Sequence, residues 1–398
     1  MQETAKNSGG YFGKIFRRRE FESLFLFVTS RCNSLCRTCF YWDNLNKNQD
    51  LTFEQIETLS RTAPPFRKLW LSGGEPFLRA ELAEIITLFY RQNGIRHLNL
   101  PTNGLLPEKI HAVMTRVLRD CPELTVDLNF SLDGLANTHD TIRGVPNNFK
   151  KTLATIERMG EFKSVRRLRR NVVTVITREN YEELVKLAAH LFENADVMGQ
   201  YFEIIRGNPL DLGLRKLTVE QVREIHRRLM PVHEAYAEKL FAHLSPAERF
   251  FARMYYLGTL KLHFDIHEEC FAQPHRWPMP CLAGVTSAVI DHNGEFRACE
   301  MRPAIGRLQD FKFDLGAALH SPQMQREVRA IPEANCWCTH SCWISDSMKF
   351  SPRVLLFHIP WTYLKYRLAR PSNLSLDSLR RFFSSEASSL ASRDATRQ

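Results

Sequence analysis

The feature that most constrains the fold of this chain is an alternation of strand-like and helix-like segments between residues 24 and 205. Short apolar runs that end at polar or glycine-rich residues alternate with segments whose apolar residues recur at helical spacing. The predicted strands are 24–30, 68–71, 97–100, 124–130, 171–176 and 200–205. Strands that are separated by helices pair in parallel, because a parallel connection must cross the sheet. We therefore predict an α/β fold in which six β-then-α units form a partial (β/α)6 TIM-like barrel.

Polar motifs follow four of these strands directly. They occupy residues 32–39, 73–76, 102–104 and 131–134. In a parallel barrel the carboxyl ends of the strands share one face, and active sites are built from the loops on that face. Because all four motifs lie at strand ends, we expect them to surround a single site.

The first of these motifs contains three cysteines in a CxxxCxxC spacing. Cys32, Cys36 and Cys39 follow the apolar run that is predicted to be the first strand. Three thiolates are one fewer than the four that complete a structural zinc or iron–sulfur site. One metal position would thus stay open for a ligand that takes part in chemistry. The alternative interpretations are a zinc site and a loop of free thiols.

This spacing after a first strand resembles the signature of the radical S-adenosylmethionine (radical SAM) enzymes. The resemblance implies that the three cysteines hold a [4Fe–4S] cluster whose open iron binds S-adenosylmethionine. It also implies that the enzyme cleaves S-adenosylmethionine reductively to a 5′-deoxyadenosyl radical, which abstracts a hydrogen from the substrate. The family usually has an aromatic residue just before its last cysteine, where this chain has Thr38. Phe40 is the first aromatic residue after the cysteines, and we expect it to contact the cofactor.

The motif after the second strand resembles the GGEP motif of the same family. It consists of Gly73, Gly74, Glu75 and Pro76. In the family, the glycines let backbone carbonyls approach the amino group of the bound methionine moiety, and Glu75 would add charge beside it. Glycine pairs also form ordinary turns, so the location of this motif and the neighbouring cysteines are what favour the functional interpretation.

Three further residues are expected to bind the cofactor. Ser131 ends the fourth predicted strand and, by the resemblance, binds the carboxylate or the ribose of S-adenosylmethionine. Arg143 would pair with the carboxylate through its guanidinium fork. Asn103 belongs to a Thr-Asn-Gly sequence that resembles the third-strand motif of the family. The alternatives are a surface arginine that closes a turn at Arg143 and an ordinary Asn-Gly turn at Asn103.

A second group of cysteines follows the barrel. Cys281 precedes a predicted hairpin over 286–298, and Cys299 follows it directly, so the hairpin can bring the two thiols towards one metal. A CxCxxxC sequence comes later and is formed by Cys336, Cys338 and Cys342. This arrangement resembles the SPASM and twitch domains, which carry auxiliary [4Fe–4S] clusters.

The number of these cysteines limits how many clusters they can hold. Five cysteines, or six with Cys270, cannot fill two four-cysteine clusters, so we predict one auxiliary [4Fe–4S] cluster of twitch type. The expected ligands are Cys281, Cys299 and Cys342, with Cys336 or Cys338 as the fourth. The alternative is a zinc knuckle, because zinc also accepts four thiolates.

The composition permits several classes of partner without choosing among them. The formal net charge of +10 suits nucleic acid, a membrane surface or acidic partners. No signal peptide and no run of 18 apolar residues is evident, so we expect a cytoplasmic protein. Residues 166–170 contain four arginines, and we predict a solvated face at the end of the barrel opposite the cysteines. Nucleic acid bound there would not reach the cluster, so we do not expect a nucleic-acid substrate.

The chain divides into six predicted segments. The stretch 354–370 mixes aromatic and basic residues, which suits contact with a membrane surface, a partner groove or the outside of the barrel. The serine-rich stretch 371–398 is predicted to be disordered. The segments are a basic arm (1–20), the radical SAM partial barrel (21–215), a helical connector (216–265), a small α+β auxiliary-cluster domain (266–345), an apolar and basic segment (346–370) and the tail (371–398).

The predicted function is abstraction of hydrogen from a peptide or small-molecule substrate, leading to oxidation, cross-linking or rearrangement. A reducing electron donor such as flavodoxin or ferredoxin is expected as a partner. Glu300 directly follows Cys299 and is the predicted general base that takes a proton from the substrate radical. The alternative for Glu300 is a surface glutamate paired with Arg297 or Arg302. The alternative functions are a radical SAM enzyme that modifies RNA and a non-enzymatic zinc or iron–sulfur binding module.

Overall fold

The computed structural model describes residues 19–369, and its centre is one nine-stranded sheet. The strand order is β6-β5-β4-β3-β2-β1-β7-β8-β9, so β6 and β9 are the edges of the described sheet. The strands are β1 (Ser23–Phe27), β2 (Lys68–Ser72), β3 (His97–Thr102), β4 (Thr125–Ser131), β5 (Leu168–Ile176), β6 (Gly199–Ile204), β7 (Ser287–Ile290), β8 (Glu295–Arg297) and β9 (Gly306–Arg307).

Twelve α-helices accompany this sheet in the described residues. They are α1 (Phe53–Thr62), α2 (Leu82–Gln92), α3 (Pro107–Asp120), α4 (Ala136–Arg143), α5 (Asn148–Arg158), α6 (Leu184–Asn194), α7 (Val219–Phe241), α8 (Pro246–Ala272), α9 (Leu315–Leu319), α10 (Pro322–Glu333), α11 (Ser341–Lys349) and α12 (Ile359–Ala369). None of them is long and apolar enough to cross a membrane. The predictions for the tail and for most of the basic arm fall outside the described residues.

The first six strands pair in parallel and are connected through helices, which confirms the predicted α/β partial barrel. Every residue of β1 is buried, as expected for a central strand that is covered on both faces. In β2 and β3 buried residues alternate with half-buried ones, because one face of the sheet packs on helices and the other lines a cavity. The sheet does not close on itself, since β6 and β9 are separate edges.

The hairpin that carries the second cysteine group extends the barrel sheet. β7 pairs in parallel with β1, with Phe25 opposite Val289, and β8 then pairs antiparallel with β7. The hydroxyl of Tyr41, which follows the first cysteine motif, lies 2.6 Å from Nδ1 of His292 in the hairpin turn. The two cysteine groups are therefore attached to neighbouring strands of one sheet.

The C-terminal helices hold the remaining part of the chain against this sheet. Trp343 of α11 is fully buried, and its ring centroid lies 4.8 Å from that of Phe25 in β1. On its other side Phe25 stacks on Trp70 of β2 at 5.0 Å. Because aromatic contacts of this size bury a large apolar area, α11 is fixed next to the open side of the barrel.

The start of α1 was predicted correctly from a local sequence signal. The hydroxyl of Thr52 accepts a hydrogen bond from the backbone N–H of Gln55, so the predicted capping box begins α1.

The predicted solvated face at 166–170 is wrong for two of its arginines. Arg170 is 3% exposed and lies 2.9 Å from Asp196, while Arg169 contacts Asp127 at 2.6 Å and lines the cavity. Strand β5 begins at Leu168 and turns the two side chains to opposite faces, Arg169 to the cavity and Arg170 to the carbonyl of Met159 at 3.0 Å, which sequence periodicity did not indicate.

Candidate active site

A cavity of about 830 Å³ opens where the parallel strands end. Alternate residues of the strands face it, because successive strand residues point to opposite sides of a sheet. Residues of α8 and α11 complete its wall. The strand residues that supply polar groups to it include Asn99, Asp127, Asn129, Arg169 and Asn171. A volume of this size accommodates a cofactor together with part of a substrate.

All three cysteines of the first motif line this cavity. Cys36 and Cys39 lie close enough to Cys32 for their charges to raise its pKa, and the charge of Cys36 also raises the pKa of Cys39. Burial raises the pKa of Cys32 to about 12 and that of Cys39 to about 11. A thiolate at either position therefore needs a cation beside it. Three thiols at one wall, two of them with raised pKa values, fit a metal cluster better than a loop of free thiols.

The loop that carries these cysteines is tied to distant parts of the chain. Arg37 donates two hydrogen bonds to Glu179 at 2.6 and 2.7 Å and two to Asp211 at 2.5 and 3.1 Å. The hydroxyl of Ser34 donates to the carbonyl of Arg143 at 2.8 Å. Because these partners lie beyond β4 and β5, the rest of the barrel fixes the position of the thiols.

The two glycines of the second motif pack directly beneath the cysteine loop. Gly73 has φ +135°, and a Cβ built on it would lie 2.3 Å from the carbonyl oxygen of Thr29. A Cβ on Gly74 would lie 2.2 Å from the carbonyl oxygen of Arg31 and 2.9 Å from the Cβ of Cys32. Only glycine allows this close approach of two backbones. Both glycines also line the cavity, so the contact with the cysteine loop and the predicted approach to a cofactor are compatible.

Glu75 links the second motif to the third. It is buried and accepts hydrogen bonds from the hydroxyl of Thr102 at 3.0 Å and the backbone N–H of Asn103 at 2.8 Å. Burial raises the pKa of Glu75 to about 7. The side-chain amide of Asn103 donates to Asn33 in the cysteine loop at 2.7 Å, so Asn103 does more than form a turn. Pro76 is buried, lines the cavity and begins a short 3₁₀ helix.

The remaining predicted cofactor residues also reach the cavity. Nε of Arg143 lies 2.7 Å from a carboxylate oxygen of Asp133, and its Nη1 lies 3.6 Å from the sulfur of Cys36. Ser131 lines the cavity at the end of β4, and Phe40 lines it just after the last cysteine. Asp133, which holds Arg143, is fully buried and was missed as a functional residue. The structure thus gathers every predicted cofactor residue around one space.

The second cysteine group is assembled from three separate segments. Cys281 precedes β7, Cys299 follows β8, and Cys336 and Cys338 lie between α10 and α11. Cys336 influences the charge of both Cys281 and Cys338, and Cys281 and Cys338 influence that of Cys299. Burial raises the pKa of Cys281 to about 11 and that of Cys338 to about 12. Burial also raises the pKa of Cys299 well above the usual value, so these three thiols need a cation to become thiolates, which fits a second metal cluster.

Cys342 has different surroundings from the other four. It lies in the first turn of α11 and lines the main cavity. Burial raises the pKa of Cys342 well above the usual value for a thiol; Glu203 and Glu300 raise it further, whereas Arg206 lowers it. This location could not be read from the CxCxxxC spacing, which treats all three cysteines alike.

Glu300 is a buried carboxylate at the cavity wall and is held by two partners. Its Oε1 accepts a hydrogen bond from Arg206 at 2.9 Å and lies 2.7 Å from Nε2 of His340. Burial alone would raise the pKa of Glu300, but His340 and Arg206 lower it to about 2. Its partners are therefore not Arg297 and Arg302, which pair with other carboxylates.

A second buried carboxylate lies beside this group. Glu203 of β6 lines the cavity, and its Oε2 has no hydrogen-bond partner among the described residues. That oxygen lies 3.7 Å from Nη1 of Arg206, and burial raises the pKa of Glu203. Arg206 thus stands between two glutamates. Sequence analysis missed both Glu203 and Arg206, because a charged pair after a strand carries no motif.

In the described residues, no three His, Cys, Asp or Glu side chains are arranged to hold a single metal ion. The thiolates of an iron–sulfur cluster bind different iron atoms, whereas the ligands of one zinc ion converge on a point. The fit of both cysteine groups to a cluster therefore rests on their location and on the raised pKa values of their thiols.

Comparison with known proteins identifies the family. A model of the Radical SAM superfamily matches residues 26–191, which contain the three cysteines of the first motif. The matched part of the chain belongs to the radical SAM superfamily. Members of this superfamily are enzymes, and membership implies a [4Fe–4S] cluster with S-adenosylmethionine. This confirms the family resemblance and excludes a non-enzymatic binding module.

The radical SAM relatives differ widely in their activities. The AdoMet-dependent heme synthase of Oleidesulfovibrio alaskensis is 24% identical over 301 residues, which are 72% of this chain and 71% of the relative. The probable GTP 3′,8-cyclase of Methanothermobacter marburgensis is 36% identical over 95 residues, but these cover only 23% of this chain and 31% of the relative. The chain thus spans about a third of that cyclase, and identity alone does not assign a reaction.

Two solved radical SAM structures share the fold. The structure of hexahistidine-tagged anSMEcpe with bound AdoMet has a TM-score of 0.57 and 17% identity, and the match covers 89% of this chain and 98% of that one. SuiB of Streptococcus suis bound to S-adenosylmethionine has a TM-score of 0.51 and 16% identity, with 82% and 72% covered. At these identities the comparison shows the fold alone.

Proposed function

We propose that this radical SAM enzyme abstracts a hydrogen from a peptide or small-molecule substrate and oxidises or cross-links it in the cavity of about 830 Å³. The observation that carries the proposal is that one cavity contains both the cysteine loop and a buried acid–base group. When bound, the cluster and S-adenosylmethionine supply the 5′-deoxyadenosyl radical. The chain itself must hold the substrate, exclude water and accept a proton.

The cavity provides amide-rich surroundings for a substrate. The side-chain amide of Asn171 donates to Asp127 at 3.1 Å and to Asn129 at 3.2 Å, and Arg169 also donates to Asp127. Amides can both donate and accept, which suits the backbone of a peptide. Two structures with the same fold support this class of substrate, since SuiB was solved with its precursor peptide SuiA and anSMEcpe with the Cp18Cys peptide.

The second cysteine group is proposed to hold one auxiliary [4Fe–4S] cluster in a SPASM- or twitch-like region. When bound, it would supply an acceptor for the second electron that leaves the substrate during a two-electron oxidation. The thiols that the structure brings together are Cys281, Cys299, Cys336 and Cys338. The assignment of Cys342 as a ligand stays a prediction from the sequence, and the iron content of a reconstituted Cys342→Ala variant tests it.

The proton released by the substrate would pass to a buried carboxylate. Glu300 is the proposed acceptor, since it lies at the cavity wall and can share a proton with His340. Its low pKa makes it a weak base at rest, so the substrate radical must be strongly acidic at the carbon that loses the proton. Glu203 is the second candidate, because its buried carboxylate has the higher pKa and an oxygen without a hydrogen bond in the described structure.

The proposal is tested by anaerobic reconstitution followed by incubation with S-adenosylmethionine and dithionite. We expect 5′-deoxyadenosine, and we expect reduced flavodoxin or ferredoxin to replace dithionite. Addition of substrate peptides should raise the rate of its formation above the uncoupled rate. Stimulation by small metabolites and not by peptides would change the substrate class. Bound zinc without sulfide, and no 5′-deoxyadenosine, would contradict the whole proposal.

A further inference from the structure

The largest exposed apolar side chains are concentrated in one part of the surface. Seven of the twelve exposed large hydrophobic residues in the described chain lie at the start of α8 or between residues 356 and 368. The exposed fraction reaches 68% at Phe357 and 78% at Leu368. Scattered apolar residues are normal on a protein surface, but a contiguous group is typical of an interaction site.

Four of these residues form a stripe along one helical face. Phe357, Trp361, Leu364 and Leu368 are separated by four, three and four positions, which places them on the same side of a helix. Phe250 and Phe251 of α8 continue the apolar surface, since the ring of Phe250 lies 6.5 Å from that of Tyr363. We call these six residues the outer stripe.

The opposite face of α12 is firmly packed, so the outer stripe does not result from a loose helix. A Cβ built on Gly258 of α8 would lie 2.7 Å from the carbonyl oxygen of Ile359 and 3.2 Å from the Cβ of Tyr363. The hydroxyl of Tyr366 donates to Glu234 of α7 at 2.7 Å. This segment therefore packs on α7 and α8, and the outer stripe is left uncovered by the described residues.

The charged residues in the segment that carries most of the outer stripe are all basic. Residues 354–369 contain no aspartate or glutamate, and Lys365 and Arg367 lie between the apolar positions. The ammonium of Lys365 lies 5.5 Å from the ring centroid of Trp361. On α8, Arg249 precedes the two phenylalanines, while Glu248 is hydrogen-bonded to Ser245 at the start of its own helix. Protruding apolar residues flanked by bases and a tryptophan are typical of helices that lie in the surface of an anionic membrane.

We propose that the outer stripe docks this enzyme on the surface of an anionic lipid bilayer, with α12 lying in the plane of the headgroups. No helix of the described chain could span the bilayer, so the contact is peripheral. α8 connects this surface to the site: Gly258 faces α12, whereas Tyr256 and Leu260 line the cavity. Docking would therefore bring the cavity to within about one helix diameter, roughly 10 Å, of the bilayer.

Vesicle sedimentation with the full-length, reconstituted protein tests this proposal. We expect binding to vesicles of phosphatidylcholine mixed with phosphatidylglycerol, and at least about tenfold weaker binding to phosphatidylcholine alone. The double variant Phe357→Ser and Leu368→Ser should weaken binding to the mixed vesicles by at least about tenfold, because it removes two inserting apolar side chains. Lys365→Glu should weaken it by about fivefold or more.

The matched control is Leu212→Ser, an exposed leucine that lies outside the outer stripe. This variant should bind vesicles as the parent does, and all variants should retain 5′-deoxyadenosine formation. Absence of binding to both kinds of vesicle would overturn the proposal. Equal binding by the parent and by the double variant would overturn it as well. Conversion of a dimer to a monomer by the double variant, without vesicle binding, would assign the stripe to a second copy of the chain instead.

Discussion

The two cysteine groups of this enzyme are constructed in opposite ways. Cys32, Cys36 and Cys39 lie within eight consecutive residues, in one loop that follows one strand. The second group comes from three segments, and the extension of the barrel sheet by β7 and β8 brings them together. A site within one loop has a small closure entropy, whereas a site assembled from distant segments depends on the whole sheet. The first group can therefore be recognised as a motif, whereas tertiary contacts are needed to choose which cysteines of the second group come together.

The surroundings of the two groups differ as well. The first lines the open cavity and has Arg143 beside one of its thiols. The second has Arg302, which influences the charge of Cys281 and donates towards Cys336. All three cysteines of the first group line the space where a substrate would bind, whereas Cys342 alone does so in the second. The difference indicates that the first group performs the cleavage chemistry and that the second has a supporting role, which the following predictions test.

The largest effect is expected at the first group. Cys32→Ala, Cys36→Ala and Cys39→Ala should each abolish 5′-deoxyadenosine formation, because all three thiolates are needed to hold a cluster in which a single iron stays open to S-adenosylmethionine. Chromatography of the anaerobic reaction mixture measures the product. Cys121→Ala is the matched control, since Cys121 is a buried cysteine that lies outside the cavity. Near-normal turnover in any of the three variants would remove the distinction between the groups.

Iron counting separates the two groups. The triple variant at Cys32, Cys36 and Cys39 should retain about four irons after reconstitution, and the double variant Cys281→Ala and Cys299→Ala should also retain about four. The double variant should still form 5′-deoxyadenosine. With the ligand set proposed here, Cys342→Ala keeps about eight irons, whereas Cys338→Ala loses about half. Loss of iron in Cys342→Ala would return that cysteine to the ligand set.

Substitution of Glu300 or Glu203 is expected to change the rate of product formation. Glu300→Gln keeps the size of the side chain and removes the base, so product formation should fall by roughly 100-fold or more while uncoupled 5′-deoxyadenosine formation continues. Glu203→Gln is the matched variant on the barrel side of Arg206. If only Glu203→Gln slows the product, the proton acceptor belongs to the barrel and Glu300 serves to hold Arg206 and His340. Full activity of both variants would show that neither carboxylate accepts the proton.

A smaller effect tests how far the stability of the cysteine loop depends on its close contact with the backbone of Gly74. Gly74→Ala should lower the free energy of unfolding by about 1–3 kcal/mol, because its Cβ would collide with the carbonyl of Arg31. Thermal unfolding and iron content after reconstitution measure the change. Gly160→Ala is the control, since a Cβ there would meet nothing within 4 Å. Equal stability of the two variants would show that the backbones can move apart without cost.

The smallest effect is a pH dependence near the first group. Burial lowers the pKa of His139 to about 4, and its Nδ1 accepts a hydrogen bond from the backbone N–H of Asp133 at 3.0 Å. Since the folded pKa lies below the usual 6.5, the unfolded chain binds more protons between these values, and stability falls as the pH drops from 6.5 towards 4. His139 should account for roughly 1 kcal/mol of this loss near pH 5.5. Denaturant unfolding at several pH values measures the free energy of unfolding of the parent and of His139→Asn. The parent should lose this additional stability as the pH falls and the variant should not, whereas the same pH dependence in both would contradict the assignment.

Much of the fold followed from periodicity, as the individual strands illustrate. The alternation of apolar runs located β1 to β6, and the Asp-His-Asn-Gly sequence located the turn between β7 and β8. Periodicity did not show that β7 pairs with β1, because that contact joins residues more than 250 positions apart. It also misplaced Arg169 and Arg170, since the stems of long side chains can be covered while their charged ends pair with carboxylates, where a charge count predicts solvent.

The sequence by itself determined the family, the first cysteine group and the motifs at four strand ends, because each of these is a local pattern at fixed spacing. The tertiary structure decided which groups face one another: Glu75 with Asn103, Arg206 between two glutamates, and Cys342 in the cavity beside them. The physical reason is that spacing fixes contacts only within a loop or a helix turn. Contacts between distant segments depend on how the sheet, α8 and α11 pack, which the folded chain settles as a whole.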